Sequence, residues 1–126
     1  MSETVDWGPI RELARRVSTT GARLALTTEA KALLRRTASE VGISDSEAES
    51  ALATEEGALG LLCEESQRIR EGSHRLMDAL HRMHQYKDKG DFGSARQEMR
   101  DVLKVEVVPH YRALAQGQLE DMADEP

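Results

Sequence analysis

The sequence predicts an all-α fold, and three observations carry that expectation. Only four side chains are aromatic, Trp7, Tyr86, Phe92 and Tyr111, which leaves little material for a β-sheet core. Ala, Leu, Arg, Glu and Met are plentiful, and these are the strongest helix formers. Apolar residues recur at helical spacing along most of the chain. At 126 residues the chain suits one domain, 1–126, able to bury a core without disulfide staples. The expected arrangement is a cap of short helices at 6–56, packed on a long, Pro-kinked antiparallel helical hairpin at 58–122, with a frayed tail at 123–126.

The first helix opens at Asp6, an N-cap residue, with Pro9 in its first turn. Ile10, Leu13, Ala14 and Val17 form its apolar stripe, and Gly21 is its expected stop. Leu24 to Leu26 cross to the next element in extended form. Thr27 or Thr28 then caps a second helix carrying Ala30, Leu33, Leu34, Thr37 and Val41, which Gly42 ends in a left-handed conformation. Ser44 with Glu47 spells a capping box, so a short third helix should run to about Thr54.

From Ala58 the pattern lengthens. Leu62, Ile69, Leu76 and Met83 recur every seven residues, with Leu59, Ser66, Ser73 and Leu80 at the intermediate positions of the same seam and a bend at Gly72-Ser73. Lys89-Gly90-Asp91 is a turn signal, after which Phe92, Ala95, Met99 and Val102 line the next helix. Pro109 should kink or interrupt it after Val105, Val107 and Val108, and helical spacing resumes through Tyr111, Leu114, Ala115, Gln118, Leu119 and Met122. The stretch from Tyr86 to Val102 echoes the latter part of a tetratricopeptide unit, without a second copy.

Charge is unevenly placed. The chain carries 23 acids against 17 bases, but residues 44–57 hold five acids and no base, and residues 115–126 hold four acids and no base. A basic or mixed-charge partner surface fits that layout. No stretch approaches the ~20 apolar residues of a membrane helix and no apolar leader follows Met1, so the expectation is a cytoplasmic chain without a membrane partner. The single cysteine, Cys63, cannot form an internal disulfide; beside Glu64 and Glu65 it reads as a small packing residue, not a nucleophile.

Three constellations invite a functional reading. Residues 37–44 with Ala48, Ala51 and Leu52 resemble a DNA-binding helix-turn-helix, but the would-be recognition helix offers Asp45, Ser46, Glu47, Glu49 and Ser50 and no base to meet phosphate. His74, His81 and His84 fall within about 80° of arc on one helix, and Glu71 to His74 spells E-x-x-H. The second E-x-x-H of a di-iron bundle is missing, and Arg75 and Arg82 flank the histidines. Phosphate loops, dinucleotide turns and nucleophile elbows are absent.

Arg68-Ile69-Arg70-Glu71-Gly72-Ser73, Gly90-Asp91, Ala95-Arg96, Met99-Arg100-Asp101-Val102-Leu103, Val105-Glu106-Val107-Val108-Pro109 and Tyr111-Arg112 together resemble the DUSAM domain, a paralogous domain found chiefly in myxobacteria. With Trp7 and Gln118-Leu119-Glu120 the resemblance spans nearly the whole chain. It implies a bacterial cytosolic setting and brings no catalytic residue; His74, His81, His84 and His110 are not part of the pattern. The expected function is therefore a non-enzymatic regulatory or adaptor module, with no cofactor, no metal and no nucleic acid. It would dock a protein partner through Asp45, Glu47, Glu49, Glu55 and Glu56. A homodimer is a second expected association, and a DNA-binding regulator or metal-binding bundle are the alternative functions.

Overall fold

The computed structural model describes residues 5–20 and 24–124. Six α-helices and no strand occur among them: α1 (Gly8–Thr20), α2 (Thr28–Glu40), α3 (Asp45–Ala51), α4 (Glu55–Asp88), α5 (Phe92–Val105) and α6 (Pro109–Asp121). The fold is all-α. Gly21, Glu125 and Pro126, read above as a helix stop and part of a tail, lie outside the described residues. The chain divides into two compact units, Met1–Ile69 and Arg70–Pro126. That division falls inside α4, whereas the sequence places a junction near residue 57.

In the first unit the helix ends are written in short polar residues. Asp6 Oδ1 accepts the amide of Gly8 at 3.0 Å, so it closes a turn one residue ahead of the position where an N-cap would sit. Of the two candidate threonines, Thr27 is the cap of α2: its hydroxyl accepts the amide of Ala30 at 3.1 Å. Gly42, at φ 80°, ends α2 in a Schellman motif, with the Ile43 amide bonded to Ala38 carbonyl at 2.8 Å and the Gly42 amide to Ser39 carbonyl at 3.4 Å. Ala38 and Ile43 are both buried, which supplies the apolar contact such an ending favours. Ile10 on α1 and Leu34, Thr37 and Val41 on or beside α2 are fully enclosed.

In the second unit a Schellman ending closes α4. Gly90, at φ 77°, donates its amide to Lys87, and Asp91 donates its amide to Tyr86, both at 2.9 Å. Asp91 then caps α5 by accepting the Ser94 amide at 3.0 Å. Arg82 on α4 meets Glu98 on α5 at 2.7 Å, and Arg96 on α5 donates to the Met122 carbonyl, just past α6, at 2.8 Å. Ala95, Met99 and Val102 on α5 and Tyr111 and Ala115 on α6 are buried.

Along α4 the buried stripe differs from the one expected. Leu62, Ile69, Leu76 and Met83 are buried as read. The intermediate row, however, is Ala58, Glu65, Gly72 and Ala79, all buried, while Leu59 is 41% exposed and Ser66, Ser73 and Leu80 are only half-buried. Both rows satisfy a heptad. Close approach accounts for one member of the buried row: a Cβ at Gly72 would strike the Tyr111 ring and sit 3.0 Å from Glu106 Oε1. Cys63, read as a packing residue, is exposed. It lies off the stripe, next to Leu62.

Candidate functional site

The five acids proposed as a docking surface fall around the α3–α4 junction. Ser44 caps α3, accepting the Glu47 amide at 3.2 Å and donating its hydroxyl to Glu47 Oε1 at 3.0 Å. Asp45 and Glu47 therefore occupy the first turn of α3, and Glu55 and Glu56 occupy the first turn of α4. At these ends free backbone amides favour negative charge, so part of the acidity has a local structural cause. The two helices close on each other through Gly57, whose absent side chain leaves room for the Ala51 carbonyl.

The structure separates these acids by their surroundings. Glu49 is held by Arg35, whose Nε donates to Oε2 at 2.6 Å and Nη2 to Oε1 at 3.2 Å. Hydrogen bonding to that guanidinium holds the Glu49 carboxyl below the usual carboxylate range. Glu55 is half-buried. Asp45, Glu47 and Glu56 are exposed and have no ion-pair partner among the described residues. The candidate surface is thus three open carboxylates beside one that is neutralised.

The α2–Gly42–α3 arrangement packs as a helix-turn-helix, with Ala38, Ile43, Ala48 and Leu52 inside. The seven-residue α3 exposes Asp45, Ser46, Glu47, Glu49 and Ser50, a face that repels phosphate. His74, His81 and His84 are exposed on α4. His110, half-buried at the start of α6, lies against Tyr111 with ring centroids 5.7 Å apart. Among the described residues no group of three or more His, Cys, Asp or Glu side chains converges as a metal site would require.

Two buried carboxyls escaped sequence reasoning. Glu106, between α5 and α6, accepts from Arg75 Nη1 at 2.7 Å through Oε1, and from the Val107 and Val108 amides at 3.1 and 3.0 Å through Oε2. Arg112 Nη1 donates to the carbonyls of Leu103 at 2.6 Å and Glu106 at 2.9 Å. Backbone groups freed by the break before Pro109 are thereby satisfied. The structure shows the cause: Val105 and Val107 are exposed while Glu106 and Val108 are buried, an alternation across the break that turns the carboxylate inward, opposite to what the apolar valines suggest in sequence. Glu65 has no such explanation. It is fully buried on α4, neither carboxyl oxygen has a hydrogen-bond partner among the described residues, and burial, with a smaller push from the charge of Glu40, raises its carboxyl to about 8.

No helix of the described residues is long and apolar enough to cross a membrane. A family model described as "Protein of unknown function (DUF2379)" matches residues 5–122. No curated protein and no solved structure matches the chain.

Proposed function

The chain belongs to the DUF2379 family, whose description carries no activity, and on that premise we propose that it is a non-enzymatic regulatory or adaptor module that docks a cationic protein surface. The observation that carries this reading is the group of open carboxylates Asp45, Glu47 and Glu56 around the ends of α3 and α4. Exposed charges of one sign steer encounter and suppress wrong partners more than they add raw affinity. Glu49 contributes less, because Arg35 already answers its charge. DUSAM membership and a bacterial cytoplasmic setting belong to the same proposal. They rest on the resemblance carried by Val105-Glu106-Val107-Val108-Pro109 and the strings around it.

Affinity capture from native lysate tests it. Proteins retained by the wild-type chain at low salt are expected to fall about tenfold on Asp45→Lys/Glu56→Lys, a loss larger than the small drop in helical content that reversing charges in two first turns brings in circular dichroism. Equal retention by both chains across a salt series contradicts the steering role.

A further inference from the structure

We propose that Glu65 is a proton-operated latch of the Met1–Ile69 unit: protonated, it lets α4 close beside the C-terminal turn of α2, and ionised, it loosens that closure. The geometry is specific. Glu65 is 0% exposed, and both of its oxygens lack a hydrogen-bond partner among the described residues. A carboxylate in that position is shut off from bulk solvent and meets no protein donor among the described residues, whereas the neutral acid forgoes far less.

The surrounding charges reinforce this. From α2, Glu40 presents another negative group, itself accepting the Trp7 indole N–H at 3.2 Å. On α4, Glu64 is negative too, and the cation one turn on, Arg68, is engaged: its Nε meets Glu64 Oε2 at 2.7 Å and its Nη1 donates to the Val41 carbonyl at 3.0 Å. The acids of α3 are exposed. The Thr37 hydroxyl, on the inner face of α2, and the Ser66 hydroxyl, beside Glu65 on α4, are also buried without partners. Ionisation therefore meets a region whose polar atoms gain by opening, with solvent as the compensator that opening admits.

The direction follows from the proton count. Burial raises the Glu65 carboxyl from 4.5 to about 8, so between those values the folded chain holds a proton that the unfolded chain has released. The stabilisation is full below about 4.5 and is lost as pH rises through about 8. Neutral pH lies between the two values, on the protonated side of the switch.

Trp7, the sole tryptophan, reports on this unit through its bond to Glu40. Its fluorescence, followed from pH 6 to 9 at constant ionic strength, is expected to change with a midpoint near 8 in the wild type and to stay flat in Glu65→Gln, which mimics the protonated acid. Carbon-detected NMR of the wild-type Glu65 carboxyl is expected to give the same midpoint, independently of how the variant folds. A carboxyl titrating near the ordinary glutamate value, or a fluorescence change that survives Glu65→Gln, overturns the latch.

Discussion

Replacing Glu106 by alanine is expected to destabilise the Arg70–Pro126 unit by about 2 to 3 kcal/mol, below the range for a fully buried ion pair because the Arg75 side chain left behind is 34% exposed. The loss has two sources. Arg75 is left without the carboxylate it meets at 2.7 Å, and the Val107 and Val108 amides lose their acceptor just where the helix has stopped. The glutamate side chain is 1% exposed, so water does not take over cheaply. Glu106→Gln keeps the shape and an amide oxygen but not the charge, and should cost about 1 to 3 kcal/mol. Urea denaturation followed by circular dichroism measures both. A loss below about 1 kcal/mol for the alanine variant would mean that the α5–α6 break is held by something else.

Gly72→Ala sets two effects against each other. Alanine exceeds glycine in helix propensity by about 1 kcal/mol, and Gly72 lies well inside α4, so propensity alone predicts a more stable protein. Against it, the new methyl would overlap the ring of Tyr111, a buried side chain 6% exposed, and crowd Glu106 Oε1. Overpacking of that kind costs about 1 to 3 kcal/mol, occasionally more. Overlap with a buried ring outweighs propensity, giving a net loss of up to about 2 kcal/mol for alanine and about 3 kcal/mol for leucine. Because Gly72, Tyr111 and Glu106 are neighbours, Gly72→Ala should cost much less in a Tyr111→Ala background. Stabilisation by Gly72→Ala in the wild-type background would show that the ring yields freely.

These two positions also mark where the sequence stops being legible. Caps and stops depend on local chemistry, so Gly42, the Ser44–Glu47 box and the Gly90-Asp91 turn could be read directly, and the cap of α2 narrows to Thr27 or Thr28. The row Leu62, Ile69, Leu76, Met83 was equally plain, because large apolar side chains at heptad spacing have one sensible destination. The companion row was not. Leu59 and Leu80 outweigh Ala58 and Ala79 on any hydrophobicity scale, and the one place where the row's small size is explained, Gly72, answers to Tyr111 on α6, which the local sequence does not show. Glu65 and Glu106 are hidden for a related reason. A glutamate reads as surface, and only the three-dimensional break before Pro109 shows why Glu106 turns inward.

The candidate surface was legible as charge but not as availability. Counting acids at residues 44–57 finds all five carboxylates. It cannot show that Arg35, fourteen positions away, takes Glu49 in a two-pronged ion pair. The structure also gives those acids a second role at the starts of α3 and α4, where they help to hold the helices they decorate. Local helix stabilisation and partner steering are compatible, since charge at an exposed helix end acts in both directions. They differ in what salt does to association.

The association rate of a captured partner, measured as ionic strength is raised, therefore bears most directly on how this chain acts. With docking steered by Asp45, Glu47 and Glu56, the rate falls steeply with salt for the wild type. For Asp45→Lys/Glu56→Lys it starts low and is nearly flat. A rate that is the same for both chains and indifferent to salt would contradict an electrostatically steered docking module.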